Sequence, residues 1–316
     1  MTPLTAILRQ EIARNGPISF YRFMDAALYD PTHGYYRQPR DPFGKDGDFF
    51  TAEQLQPVFG ILIAARIRML YRDMGEPSDF TVVELGPGRG EMVEVEHALA
   101  CSKNWKLVPL GADLPEQFQG VVFSNEFFDA LPVHRVVWVA GEPRESLVGW
   151  RDNRFVWVDG PPVTGEIQDY VERYFPESAG RLSAEVNLDA LRWMERISQR
   201  LESGYVFTID YGYTAAESKR FPAGTLMSYR RHVAIENVLK DPGGQDITAH
   251  VCFTALEGHG FQTARFETLA RTLLDAGEAD QFATALTGSD EARRRLQLKT
   301  LLFGMGETFR TLLQHK

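Results

Sequence analysis

Hydrophobic positions first recur at helical spacing along this chain and then change to strand spacing. Leu4, Ile7, Leu8 and Ile12 share one face, which predicts a helix over 4–15 that Asn15-Gly16-Pro17 ends. A second helix follows, with Ser19 as its cap and Phe20, Phe23, Met24 and Leu28 apolar. A turn-rich stretch from Tyr29 to Tyr36 and a loop from Pro39 to Gly47 come next. Residues 54–74 then read as a long helix, stopped by Met74-Gly75-Glu76-Pro77. From there the pattern shortens. Apolar runs at 81–85 and 120–124 predict strands, 106–110 offers a short one, and 204–210 a buried one. Residues 133–139, 146–151 and 154–159 alternate and carry aromatics, as antiparallel strands do, with Asp152-Asn153 as a turn. Helices are expected over 91–100, 165–174, 187–201, 269–276 and around 290–300. A closing strand over 307–313 is expected at the antiparallel edge of the sheet. The stretch 221–251 is turn-rich and polar, and long irregular segments inside compact domains are often functional.

Strands alternating with helices define an α/β fold. The boundaries expected are a helical lead-in over 1–78 and an α/β domain over 79–316, with an insertion at about 140–203. The chain is organised around Thr81-Val-Val-Glu84-Leu-Gly86-Pro-Gly88-Arg-Gly90. A strand running into a glycine turn and then a helix places a ligand at the carboxyl end of a parallel strand. The spacing is G-x-G-x-G, and Glu91 at the helix start would repel a pyrophosphate, which disfavours a nicotinamide dehydrogenase. An acid two residues before the first glycine suits a ligand with a cationic amino group, such as S-adenosylmethionine. An ordinary strand-to-helix turn is the plainer alternative.

Composition narrows the picture further. A net charge of -9 disfavours non-specific binding to nucleic acid or an anionic membrane. No run approaches the length of a membrane span, and the first twenty residues do not read as a signal peptide. The two cysteines, Cys101 and Cys252, match no metal or redox spacing and read as reduced thiols, so the expected location is cytoplasmic. No His, Cys and acid cluster has metal-site spacing, so no metal is expected.

Four further stretches could carry chemistry. Ser124-Asn125-Glu126-Phe-Phe-Asp129 follows a strand. If it forms a helical turn, Glu126 and Asp129 share a face at i,i+3 and could hold a guanidinium between two carboxylates. Alternatively, Ser124 or Asn125 simply caps the turn. Asp48 and Thr51 lie in a loop that either caps the next helix or closes over a ligand. Asp210-Tyr211-Gly212 ends a strand. His232 and His250 are possible bases, although a lone histidine is more often a structural hydrogen-bonder.

Read together, these motifs resemble the S-adenosylmethionine-dependent methyltransferases related to the mitochondrial complex I assembly-factor protein arginine methyltransferase. The resemblance runs through Gly16-Pro-Ile-Ser, Gly34-Tyr-Tyr, Gly47-Asp-Phe-Phe-Thr51, Val83-Glu-Leu-Gly-Pro-Gly-Arg-Gly90, Asn125-Glu-Phe-Phe-Asp-Ala-Leu-Pro-Val-His134, Asp210-Tyr-Gly212, Gly224-Thr-Leu and Asp246-Ile-Thr-Ala-His-Val251. It implies a Rossmann-like class I methyltransferase sheet with an N-terminal helical region, an inserted helical and β segment, and S-adenosyl-L-methionine as cofactor. Two departures stand out. Only 34 residues separate Gly90 from Asn125, a shortened central segment in which the family's ribose-binding acid is not evident. A ribose without that acceptor costs about 1.5–3 kcal/mol of binding. Cys252 stands where the family tends to carry an acid.

The expected cofactor residues are Glu84, Gly86, Gly88, Gly90, Asp48 and Thr51. The expected catalytic residues are Glu126, Asp129, Asn125 and His134, with His134 or His250 taking the released proton. The partner expected is a protein arginine, with a respiratory-complex subunit implied by the resemblance. Two alternatives stay open: a catalytically silent methyltransferase fold serving as a binding or assembly module, and a small-molecule methyltransferase.

Overall fold

The computed structural model describes residues 2–38, 56–90, 92, 104–176, 180–230, 233–276, 285–287 and 290–316. They form a mixed α/β fold that divides into two compact units, each drawn from three separate segments.

The first unit comprises Met1–Phe50, Phe128–Arg192 and Tyr213–Ala255. Its leading helix, Pro3–Asn15, starts where the Thr2 hydroxyl accepts the Thr5 amide, and ends at Gly16 with φ +81°. The next, Phe20–Tyr29, is capped by Ser19 through the Arg22 amide. Leu4, Leu8, Phe20, Phe23, Met24 and Leu28 bury themselves with Val133, Val148, Phe155 and Ile247. The contacts therefore do not divide the chain at residue 78. The first two helices need the apolar face of much later strands, because neither could bury its own stripe alone. Ile7, expected on that stripe, is 42% exposed. Strands His134–Val139, Glu142–Arg151 and Arg154–Pro162 form the expected antiparallel meander. Asp152 and Asn153 make its turn at φ +50° and +57°, both left-handed as a tight hairpin requires. Ile18–Ser19 and Ser183–Val186 extend this sheet. Helix Gly165–Tyr174 packs beside it, with Tyr170, Val171 and Tyr174 against Val136, Ala184 and Val186. The turn-rich stretch holds a second small sheet of Val233–Ile235, Met227–Arg230 and Asp246–Thr248.

The second unit comprises Thr51–Phe127, Trp193–Gly212 and Leu256–Lys316. Its strands lie in the order Gln262–Thr268, Phe309–His315, Leu201–Tyr213, Phe118–Asn125, Thr81–Leu85, Asn104–Val108. The last four are parallel. The Phe309–His315 strand runs antiparallel between two neighbours, so it is an interior strand and not the expected edge. Helix Val58–Asp73 covers one face, where Val58, Ile61 and Leu62 meet Val82, Val121, Phe123, Phe207 and Ile209. Helix Leu269–Ala276 adds Leu269 and Leu273 to the same core. Three strands cross at Thr81, Gly120 and Gly204, which are register partners. A side chain at Gly204 (φ +131°) would collide with the Gly120 carbonyl, and one at Gly120 with that of Thr81. Only glycine allows this close approach.

The order of the parallel strands reverses at one place. From Thr81–Leu85 the chain moves outward to Asn104–Val108, then returns to the other side for Phe118–Asn125 and Leu201–Tyr213. Open α/β sheets bind ligands outside the carboxyl ends of the strands at such a switch point.

Candidate functional site

The carboxyl ends flanking the switch point belong to Thr81–Leu85 and Phe118–Asn125. Every residue of the first strand is buried, as a central parallel strand should be. It runs straight into Gly86, Gly88 and Gly90, whose φ values are +60°, +52° and +73°. These are left-handed positions that glycine occupies without strain. The Gly86 amide donates to the Val108 carbonyl at 3.0 Å and the Gly90 amide to Pro87 at 2.6 Å. A Cβ at Gly86 would stand 2.7 Å from the Phe127 ring. Phe127 in turn meets Trp193 edge-on at 5.2 Å, and the Arg196 guanidinium lies over Trp193 at 4.2 Å.

Glu84 is 1% exposed. Its Oε2 accepts the Trp105 indole N–H at 2.7 Å, and Oε1 has no hydrogen-bond partner among the described residues. Burial pushes its carboxyl up to about 7, against the pull of the indole. A buried carboxylate with one vacant oxygen, beside a turn built for close backbone approach, fits the ammonium of an amino-acid ligand.

The neighbouring strand delivers Asn125 and Glu126 to the same edge, since Leu85 is in register with Ser124 and Asn125 with Ile209. Asn125 is buried; its Nδ2 donates to Glu126 Oε1 at 3.3 Å and its Oδ1 has no partner among the described residues. The Glu126 amide donates to the Ile209 carbonyl at 3.0 Å, with φ at +52°. This corrects the helical turn expected over 125–131. A left-handed residue at the strand end breaks any helix there, so Glu126 and Asp129 do not share a helical face. Asp210 is fully buried on the third strand and accepts the Tyr211 amide at 2.9 Å.

Asp129 belongs to the first unit. It is 3% exposed, and its carbonyl accepts the Ala249 amide at 3.0 Å. Nearby, Tyr36 donates to Asp246 Oδ1 at 2.9 Å, and Tyr29 to the Ala130 carbonyl at 2.8 Å. Burial raises both phenols well above their ordinary range, with Asp246 and Asp129 adding to the effect. His134 Nδ1 lies 2.8 Å from Glu145 Oε1, and its ring stacks on Tyr21 at 5.0 Å. His250 donates its amide to Thr225 Oγ1 at 3.0 Å, and burial lowers its imidazole below the usual value. Asp48, Thr51 and His232 lie outside the described residues.

Trp105 was not among the expected residues. Its signal in the sequence is slight: an aromatic residue among polar neighbours on an edge strand that is otherwise largely exposed. At the end of that strand come Val108, Pro109, Leu110, Gly111 and Ala112, none able to accept ribose hydroxyls through a carboxylate. Asp113 follows, with a fully exposed side chain 3.5 Å from Arg196. Among the described residues, the end of this strand thus carries no buried carboxylate, whereas the end of Thr81–Leu85 carries Glu84.

The model of a family described as S-adenosyl-L-methionine-dependent methyltransferases matches residues 97–272. The mitochondrial protein arginine methyltransferase NDUFAF7 homolog of Drosophila melanogaster is 29% identical over 303 residues, covering 78% of this chain and 67% of that protein. The NDUFAF7 protein of Homo sapiens is 28% identical over 318 residues, covering 81% and 68%. A solved structure from Burkholderia thailandensis, described as a methyl transferase and bound to S-adenosyl-homocysteine, superposes with a TM-score of 0.84 at 29% identity, covering 99% of this chain and 92% of that one. These curated relatives are named as mitochondrial proteins, which overturns the cytoplasmic expectation. No helix among the described residues is long and apolar enough to cross a membrane.

Proposed function

The chain belongs to the family of S-adenosyl-L-methionine-dependent methyltransferases, and from that premise we propose that its methyl acceptor is an arginine side chain of a protein. The observation that carries the cofactor half is the vacant Oε1 of buried Glu84 beside the glycine turn. The acceptor half is supported by the names of the relatives; Glu126 and Asp129 are kept as its carboxylates on sequence grounds. A respiratory-complex subunit is the protein substrate carried over from the family resemblance. We read the second unit's sheet as the Rossmann-like class I core, with the 91–124 segment shortened and residues from about 140 to 203 inserted.

When bound, the cofactor supplies a methyl group activated on a sulfonium. The rest is the chain's own work. Glu84 would hold the ammonium, and the turn at Gly86, Gly88 and Gly90 would let the backbone approach the amino-acid end. Asp48 and Thr51 remain in the cofactor set on sequence grounds alone. A guanidinium stays protonated in water. A carboxylate paired with one of its nitrogens, the role proposed for Glu126 and, on sequence grounds, for Asp129, would draw the positive charge toward itself and leave another nitrogen more nucleophilic. Asn125, bonded to Glu126, would orient that carboxylate. Most of the rate would come from holding the nucleophile in line with the breaking bond. His134 would accept the proton lost from the methylated nitrogen. In the tautomer that gives Nδ1–H to Glu145, Nε2 is the nitrogen that carries the lone pair for this proton.

The test is calorimetric titration with S-adenosyl-homocysteine for the unaltered protein and Gly86→Ala, followed by incubation with S-adenosylmethionine and arginine peptides read by mass spectrometry. Alanine would strain the φ of +60° and press on Phe127. Binding lost in the variant and a 14 Da gain (one methylene) on arginine is the expected outcome. Methylation confined to small molecules would reject the protein acceptor. Cofactor binding with no transfer to any acceptor would favour an assembly module on a methyltransferase fold.

A further inference from the structure

Glu84 lies in the central strand with Leu107 in register on one side and Phe123 on the other. Alternation puts Val82 on the same face as Glu84. Trp105, two residues before Leu107, therefore shares that face, and its ring packs on the core formed with helix Val58–Asp73. The indole N–H points at one carboxylate oxygen only, Oε2, at 2.7 Å. The other oxygen, Oε1, is buried and has no partner among the described residues. This asymmetry is more than a strut requires. A purely structural carboxylate would be expected to have both oxygens satisfied.

We propose that Trp105 is a positioning residue for the cofactor: its indole N–H fixes Oε2 of Glu84 and thereby presents Oε1 to the ammonium of the ligand's amino-acid end. The inference rests on the cofactor reading above and adds to it a residue on a different strand. It has a consequence for pH. An ammonium binds the ionised carboxylate, and here burial disfavours that form while the indole favours it. Among the described residues, those set beside Glu84 by strand pairing and alternation are apolar apart from Trp105: Val82 on its own strand, and Leu107 and Phe123 in register with it; helix Val58–Asp73 packs on the same core as Val82 and Trp105. Arg66 on that helix feels Arg265, Glu267, Asp73 and Asp275. Among the described residues no charged group offsets the burial of Glu84; only the indole does.

The test compares two ligands across pH 5.5 to 8.5 by calorimetry on the full chain. S-adenosyl-homocysteine carries the ammonium, and 5′-methylthioadenosine lacks the amino-acid end altogether. In the unaltered protein S-adenosyl-homocysteine should weaken as pH falls through about 7, while 5′-methylthioadenosine stays flat. In Trp105→Phe the first ligand should lose about tenfold at pH 7 and its midpoint should move upward, with the second unchanged within about twofold. Trp105→His, which keeps an N–H donor, should recover part of the loss. Equal losses for both ligands would make Trp105 a packing residue and overturn the inference. So would a pH-independent S-adenosyl-homocysteine affinity in the unaltered protein, a readout that needs no variant to fold. Failure of the unaltered protein to bind either ligand would overturn the cofactor site itself, and the inference with it.

Discussion

Replacing Glu84 by glutamine should change how the stability of the cofactor-free protein depends on pH. The folded carboxyl titrates at about 7 against an ordinary 4.5, raised mainly by burial. The gap is about 2.5 pH units, and at roughly 1.36 kcal/mol per unit it amounts to about 3 kcal/mol. The sign follows from linkage. A carboxyl whose folded value is raised adds stability below its unfolded value, and that contribution is lost as pH rises through the folded value. Glu84 therefore helps the fold under acid conditions and weakens it progressively between about pH 4.5 and 7. Glutamine stays neutral throughout and can still accept the Trp105 indole N–H. Urea unfolding of both proteins without ligand, from about pH 4.5 to 8.5, isolates the difference, because every other titrating group is shared. Glu84→Gln should gain about 3 kcal/mol on the unaltered protein across that range. A difference that stays flat within about 0.5 kcal/mol would refute the buried, vacant carboxylate.

Two further outcomes are expected. Gly204→Ala drives a methyl group into the Gly120 carbonyl at a φ of +131°, so denaturant unfolding should show a loss of about 3 kcal/mol or more, or no soluble protein; a loss under about 1 kcal/mol would mean that the three strands can separate. His134→Gln should leave S-adenosyl-homocysteine affinity within about twofold by calorimetry while lowering kcat by about a hundredfold, and an unchanged kcat would remove His134 from proton transfer.

The parts of the fold that could be read from the sequence are those written locally. The apolar run at 81–85 and its three glycines state both the buried strand and the left-handed turn. Asp152-Asn153 states a hairpin. What could not be read depends on distant partners. Trp105 meets Glu84 only because two strands pair in a particular register, which no local pattern encodes. Glu126 reads as a helix former, yet the hydrogen bond to Ile209 holds it at positive φ. The small sheet around 227–248 has strands of three or four residues, too short to show a period. The two units are not legible in the sequence because each is assembled from segments far apart, and hydrophobic patterning says that a face is buried without saying against what.

The interior place of the Phe309–His315 strand bears on how the chain is made. It separates Leu201–Tyr213 from Gln262–Thr268, both of which leave the ribosome earlier. Until residue 309 emerges, the growing sheet presents an unpaired backbone edge on its Leu201–Tyr213 side. At ordinary rates of synthesis, the roughly one hundred residues in between take about 5–20 s. An open edge held that long invites pairing with the wrong strand, either the 262–268 segment out of turn or another nascent copy. Yield in a cell should therefore respond to translation speed and to chaperones over this last third of the chain more than over the first.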